Sequence, residues 1–366
     1  MKIECSIEKL KKALIIVERV IGKNLTLPVL ESILFIVKDK TLTLRATNLS
    51  IGIETKITTR VEKEGVIAIK GNVLSSLFLN LKDDDVVVLE VVDGNLSVKT
   101  KTNTTLLKSV SHEDFPTIPI VSGEEFLISA KKFTEGLKSV YYSASISEIK
   151  PEIGSVYVYP EESNLIFVST DSFRLAEKKI KTKESLSFGG VLLPFKNVVE
   201  IIKVFEEVTD DLKITLQKNQ ISISTNDIYL SSRIVDGVFP DYKQIIPKEA
   251  TTEAVVLKQD FISSLKITNI FSDKKLNQIT LFVNPPKKIF EINSKNIDIG
   301  ENKTILTGAL SGEEVSVNFN YKYVIDCIQS IGSDSLSLKL NGTNRAMIIS
   351  GVGDSSFRYL IMPMNR

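Results

Sequence analysis

Few side chains in this sequence could carry out covalent chemistry, and they are scattered. There is one histidine, His112, and there are two cysteines, Cys5 and Cys327. A histidine-rich metal site or a Ser-His-Asp relay would have to use His112, because imidazole is the ligand or base in both. His112 lies in "SVSHEDFP", a polar turn of the kind in which an imidazole is simply solvated. The cysteines are far apart and lack zinc spacing. Acidic clusters at Asp84, Asp210 and Asp334 could be general acids and bases, but each stands just before an alternating apolar segment, which marks a solvated turn entering a strand. Gly22-Lys23 lacks the upstream glycine of a phosphate loop, and "GVGDSS" has only the first two glycines of a dinucleotide fingerprint. We therefore expect no catalytic residues, no metal and no cofactor, and a binding or scaffold role.

Composition narrows that role. Lys and Arg total 46 against 45 Asp and Glu, a net charge of +1, so any nucleic-acid surface must be a local patch. No stretch approaches the roughly 18 apolar residues of a membrane span, since even "ALIIVERVI" is interrupted by Glu18 and Arg19. The start of the chain has no apolar signal core, so a reduced, cytoplasmic protein is expected.

At 366 residues the chain is too long for one ordinary core, and it can be laid over itself three times. Thr47, Thr170 and Ser294 recur at a period of about 124 residues within similar alternating segments, and the acidic clusters follow the same period. So do Pro116 of "DFPTIPI", Pro240 of "VFPDYKQIIP" and Pro363 of the closing "YLIMPMNR". Three domains follow, at 1–121, 122–246 and 247–366. Each reads as a strand, an amphipathic helix, several alternating strands, a second helix and further strands, an α+β class with antiparallel sheets. The first helix carries Ile7, Leu10, Leu14, Val17 and Ile21 on one face. Its counterparts are expected at 129–145 and 257–271, and second helices in "NVLSSLFLNL", "KNVVEIIKVFEE" and "YKYVIDCIQSI".

The helices are basic on their polar sides. Lys9, Lys12, Arg19 and Lys23 share one face of the first helix, and Lys196 and Lys258 lie on helices of the later copies. A single lysine stripe is usually an ordinary solvated face, but recurrence in three copies favours a basic, nearly apolar-free lining for a phosphate backbone, without base readout.

At "LTLPVLESILF", "DFP", "TDSFRLA", "FPDYKQIIP", "NFNYKYVIDCI" and "MPM" the chain resembles, end to end, the bacterial DNA polymerase III beta subunits, the sliding clamps. The resemblance implies three clamp-type domains, each with two helices packed on antiparallel sheets. It also implies a head-to-tail homodimer closing a ring with the helices lining the hole. Such a ring encircles duplex DNA, confers processivity and is not an enzyme. Partners would be the replicative polymerase, the clamp loader, repair polymerases and mismatch-repair factors, all bound through short linear motifs. Carried over, the peptide groove comprises Ile153, Thr170, Ser172, Phe173, Arg174, Leu175, Pro240, Gln244, Ile245, Leu276, Asn320, Tyr323, Ala346, Leu360, Ile361, Met362, Pro363 and Met364, with the apolar tail as one wall. DNA would meet Lys9, Lys12, Arg19, Lys23, Lys196 and Lys258. For the dimer, "TNTTLLKSVS" is an edge strand whose Leu106 and Leu107 are expected near Ile270 and Phe271 of the partner copy.

The chain departs from the family where Ser172-Phe173 replaces a common Gly-His and Gln244 a common arginine. Asn24, after Lys23, stands where an arginine is frequent. A rival class is a repeat enzyme with Asp171 and Arg174 as base and acid near Tyr323.

Overall fold

The computed structural model describes residues 1–22, 27–82, 86–147 and 149–364. The first repeat runs β1 (Lys2–Ser6), α1 (Ile7–Glu18), β2 (Ser32–Lys38), β3 (Thr41–Thr47), β4 (Ile51–Thr58), β5 (Arg60–Lys63), β6 (Gly65–Lys70), α2 (Gly71–Leu79), β7 (Val86–Val92), β8 (Asn95–Lys99), β9 (Thr104–Leu107) and β10 (Ser109–Val110). The second runs β11 (Glu124–Ser129), α3 (Ala130–Val140), β12 (Ser155–Glu161), β13 (Asn164–Thr170), β14 (Arg174–Lys181), β15 (Val191–Pro194), α4 (Phe195–Phe205), β16 (Asp211–Gln217), β17 (Gln220–Ser224) and β18 (Ile228–Arg233). The third runs β19 (Thr252–Leu257), α5 (Lys258–Ile270), β20 (Gln278–Asn284), β21 (Ile289–Asn296), β22 (Gly300–Ile305), β23 (Gly308–Gly312), β24 (Val315–Asn320), α6 (Tyr321–Asp326), β25 (Ser335–Leu340), β26 (Met347–Gly351) and β27 (Phe357–Ile361).

Local chemistry explains the helices. Ser6 caps α1 by accepting from the Lys9 amide, while Ile7, Leu10, Leu14 and Val17 are buried at 3 and 4 spacing. Ile21, placed on that stripe from sequence, lies beyond the helix end. The helix in "YKYVIDCIQSI" is shorter than expected. Only Tyr321–Asp326 is α-helical, capped by Asn320, and Cys327–Ser330 tightens into a 3-10 turn.

By contacts the chain separates into two compact units, one of Met1–Lys131 with Val199–Ile234, the other of Lys132–Val198 with the residues from Val235 on. The division cuts the second repeat because its two sheets belong to different partners. In the first unit the order β10-β6-β2-β3-β4-β18-β17-β16-β11 makes one nine-stranded sheet, in which β4 of the first repeat pairs antiparallel with β18 of the second, Ile53 opposite Leu230. A five-stranded sheet, β5-β1-β7-β8-β9, completes that unit. In the second unit β15-β12-β13-β14-β27-β26-β25-β19-β23 is again nine-stranded, joined where β14 of the second repeat pairs with β27 of the third, Leu175 opposite Leu360. The remaining sheet is β22-β21-β20-β24.

The phenylalanines of the aromatic-proline segments pack into the cores against the nine-stranded sheets. Phe115 joins Val29, Leu34 and Ala68 in the first unit, and Phe239 joins Ile166, Val168 and Leu192 in the second. On the helix side of the second unit, Phe133 meets fully buried Phe167 edge-on at 5.8 Å. Gly136 of α3 lies against the same ring, and a Cβ there would fall 2.4 Å from the ring carbon Cε2. Helix propensity favours Gly136→Ala by about 1 kcal/mol, but a methyl inside a ring's contact distance costs about 1–3 kcal/mol. We expect the variant to unfold at lower urea concentration, and an unchanged or raised midpoint would show that the ring yields.

Candidate peptide groove and basic faces

The β14–β27 pair builds the site. Side chains alternate across a strand, so Leu175 and Leu360, directly opposite each other, share one face of the sheet, while Arg174 and Ile361 share the other. Leu175, Leu360 and Ala346 are nearly fully buried and pack with Ile166, Val168, Leu192, Phe239 and Tyr242. Above this floor lies a groove of about 500 Å³ lined by Thr170, Ser172, Phe173, Arg174, Leu175, Gln244, Ile245, Ile246, Pro247, Asn344, Arg345, Ala346, Leu360 and Met362. Phe173, Ile245 and Met362 are 61%, 57% and 41% exposed, an unusual concentration of open apolar surface along one groove.

The turn before β14 is held by side-chain bonds. Asp171 Oδ1 accepts from the amides of Phe173 and Arg174, and Thr170 Oγ1 accepts from the Ser172 amide. Ser172 sits at φ +78°, in the left-handed region that glycine adopts freely and other residues at a cost of about 1–2 kcal/mol. Beyond β27, Pro363 has no amide to extend the ladder. The chain is held there by the Met362 amide donating to Phe173 O and the Met364 amide to Asn318 O, both at 2.8 Å.

Behind the sheet, Arg174 is fully engaged. Its guanidinium donates to Asp171 at 3.0 Å, to Asp326 at 2.6 Å and to Tyr142 O at 2.6 Å, and lies 4.4 Å from the Tyr323 ring centre. Burial works against the charged form, yet Tyr359, Asp326 and Asp171 hold its pKa above the ordinary arginine value. A guanidinium so held cannot serve as a proton donor, and this removes the acid of the rival enzyme. The thiols offer no nucleophile either. Burial, then Glu4, pushes Cys5 up to about 12, and burial, then Asp326, raises Cys327. His112, Asp210 and Asp334 are exposed, and Asp84 lies outside the described residues.

A second buried network supports the 3-10 turn Tyr242–Ile245, which carries Gln244 and Ile245. Tyr242 donates its hydroxyl proton to Glu177 Oε2 at 2.6 Å, so the 2.7 Å contact between the Tyr159 and Tyr242 hydroxyls must be donated by Tyr159. Arg358 Nε lies 2.9 Å from Glu177 Oε1. Burial, then the bonds to Glu177 and Tyr159, keeps the Tyr242 phenol strongly protonated.

Several residues assigned to the groove from sequence do not line this cavity. Ile361 faces the buried helix side, Tyr323 lies beneath Arg174, and Asn320 caps α6. Leu276 borders a different, polar cavity together with Asp273, Thr280 and Asn293. Ile153 donates to Lys150 O in a turn. Pro240 is exposed ahead of the 3-10 turn, and Pro363 and Met364 continue past the strand. Ile246, Pro247, Asn344 and Arg345 were missed, although each lies within two residues of an assigned one.

The cationic faces are more mixed than the sequence suggests. Lys9, Arg19 and Lys196 are exposed, Lys12 pairs with Glu8 at 2.7 Å, and Lys258 donates to Ile331 O. Lys23 and Asn24 lie outside the described residues. These faces are also not apolar-free, since Ile15, Val73, Leu79 and Ile267 on the helices are all more than 40% exposed. At the expected dimer contact Leu106 and Ile270 are exposed, Phe271 half-buried and Leu107 buried, because β9 turns Leu107 toward its own core.

Sequence comparison settles the family. Profiles of the DNA polymerase III beta subunit match nearly the whole chain: the N-terminal domain over residues 1–119, the central domain over 127–241 and the C-terminal domain over 243–365. The chain belongs to this family. Its function is that of a sliding clamp, the processivity factor of a DNA polymerase. The beta sliding clamp of Synechococcus elongatus is 26% identical over 373 residues, covering 100% of this chain and 99% of that one. Among solved structures, the Bartonella birtlesii sliding clamp bound to griselimycin is 26% identical with a TM-score of 0.94. That from Pseudomonas aeruginosa, also bound to griselimycin, is 23% identical with a TM-score of 0.95. Both comparisons cover each chain completely. The family's antiparallel, three-repeat fold is the one described above.

The Glu177–Tyr242 bond can be weighed directly. Tyr242→Phe leaves a buried carboxylate short of a donor, which costs about 1–3 kcal/mol. In a double-mutant cycle with Glu177→Gln, read by urea unfolding, the two changes should couple by about 1 kcal/mol. Strict additivity would show that the bond does not support the turn.

Proposed function

We propose that two copies of the chain join head to tail into a closed ring that encircles duplex DNA in the cytoplasm and tethers polymerases through the groove. The observation that carries this reading is a pattern of seams. Strands β4, β14 and β22 hold equivalent places in the three repeats, and so do β9, β18 and β27. Within the chain β4 pairs with β18 and β14 with β27, whereas β22 and β9 are both sheet edges. A second copy presenting β9 to β22 completes the set and pairs both of those edges. The flanking side chains suit burial. Ile305 on β22, Ile270 at the end of α5 and Leu106 on β9 are each more than half exposed, and a Leu or Ile fully covered contributes about 1.5–3 kcal/mol.

The helices carry Lys9, Arg19 and Lys196 without any base-reading element, which suits phosphate contacts that hold no sequence and weaken steeply with salt. The groove suits a short peptide with two or three apolar anchors. Such a segment, ordered only on binding, reaches micromolar affinity at about −8 kcal/mol, so partners exchange. The working parts are a backbone seam, a basic face and a peptide groove, none of which is catalytic.

Two experiments test this reading. Leu106→Asp combined with Ile270→Asp places a carboxylate on each side of the contact, and sedimentation should then give a monomer of 40.7 kDa. A dimer that survives both changes would place the contact elsewhere. Loaded onto a nicked circular plasmid, the wild-type protein should stay bound through a high-salt wash and be released when the circle is cut. Equal loss from circular and linear DNA would contradict encirclement.

A further inference from the structure

The groove walls carry two cations and no carboxylate. One, Arg174, is consumed by Asp171 and Asp326 behind the sheet. The other, Arg345, is an exposed guanidinium in the turn between β25 and β26, beside floor residue Ala346, and no ion pair or hydrogen bond of its side chain is found among the described residues. Of the acids closest in sequence to the lining residues, Asp171 is paired with Arg174, and Asp241 accepts from the Gln244 side-chain amide at 2.6 Å. An apolar groove that ends in one uncompensated arginine fits best a ligand with apolar anchors and one negative group, because the planar guanidinium matches a carboxylate in a bidentate fork.

We propose that Arg345 is a specificity-determining residue of the groove and selects linear peptides carrying an aspartate or glutamate beside their apolar anchors. The inference rests on the peptide-groove reading above. Before binding, Arg345 is solvated and its field is screened beyond about 8–10 Å. A bound peptide covers part of its surroundings, which strengthens the pair. At a rim position the effect falls chiefly on association rate and salt dependence.

The test uses blocked heptapeptides with two leucines and a phenylalanine on an alanine background. One aspartate is moved through the remaining positions, and an asparagine counterpart is made for each. Binding to the full-length protein is measured by calorimetry and stopped-flow fluorescence. At one position or more, aspartate should bind about three- to tenfold tighter than asparagine, with the gap closing at high salt. Arg345→Gln should remove that preference, and Arg345→Glu should reverse it. Met362→Asp, which puts a carboxylate against the apolar wall, should abolish binding of both peptides. If aspartate and asparagine peptides bind the wild type equally at every position, or the preference survives in Arg345→Gln, Arg345 is not the selector and the groove reading stands alone. If no peptide binds the wild type, or Met362→Asp changes nothing, the groove reading falls and takes this inference with it.

Discussion

Backbone pairing between β14 and β27 is the constraint on which the second unit depends. A strand edge exposes amides and carbonyls that must be satisfied, and the edge of β14 is met by the last strand of the chain across five register pairs from Arg174↔Ile361 to Lys178↔Phe357. That ladder welds two repeats into one nine-stranded sheet. It also fixes which side chains share a face. Moving the register by one residue would turn Leu360 to the helix side and Ile361 to the groove, and the apolar floor would be lost. The β4–β18 ladder performs the same service in the first unit. Both seams are filled within the chain, while β9 and β22, which hold the corresponding places, remain sheet edges.

The site inherits its precision from this ladder and its local strain from the turn at its end. Ser172 takes a positive φ in the tight connection of β13 to β14, where Thr170 pairs with Leu175 before β14 pairs onward with β27. The bonds of Thr170 and Asp171 to the turn amides offset that cost. On the opposite wall, the Glu177–Tyr242–Tyr159 chain and Arg358 link strands of the sheet to the 3-10 turn that carries Ile245. Both walls are thus rigid where the backbone is held, while Phe173, Ile245 and Met362 remain open. Rigid support with open apolar tips is the arrangement expected for binding a short segment with little reorganisation of the protein.

Much of this was legible in the sequence, for identifiable reasons. The threefold period, the first helices and the alternating strands follow from spacing alone, because each repeat buries the same faces. The groove was legible wherever its residues lie in the recognised segments "TDSFRLA", "FPDYKQIIP" and "YLIMPMNR". What failed was side-chain direction. Ile361 and Leu107 point into their own cores and Tyr323, half-buried, lies against Arg174, since neighbours on a strand or helix face opposite ways. Lys12 and Lys258 are similarly spent on Glu8 and on a backbone carbonyl, which no periodicity reveals. The sharing of the second repeat between two units also escaped the sequence, because pairing between β4 and β18 is set by edges brought together only after folding.

The orientation of the tail bears on how the groove should be dissected. Leu360 and Ile361 are buried ladder residues, so removing the chain from Leu360 onward would strip the seam as well as the wall and confound loss of binding with loss of fold. Met362 is the first tail residue whose side chain is open, and its amide is tied to Phe173 on the neighbouring turn. Substitution at Met362 therefore acts on the groove wall and leaves the ladder in place. The distinction separates two roles that run together in the primary structure. Residues up to Ile361 hold the sheet, and from Met362 the chain presents a surface. The switch occurs next to Pro363, because a residue without an amide hydrogen cannot continue a ladder.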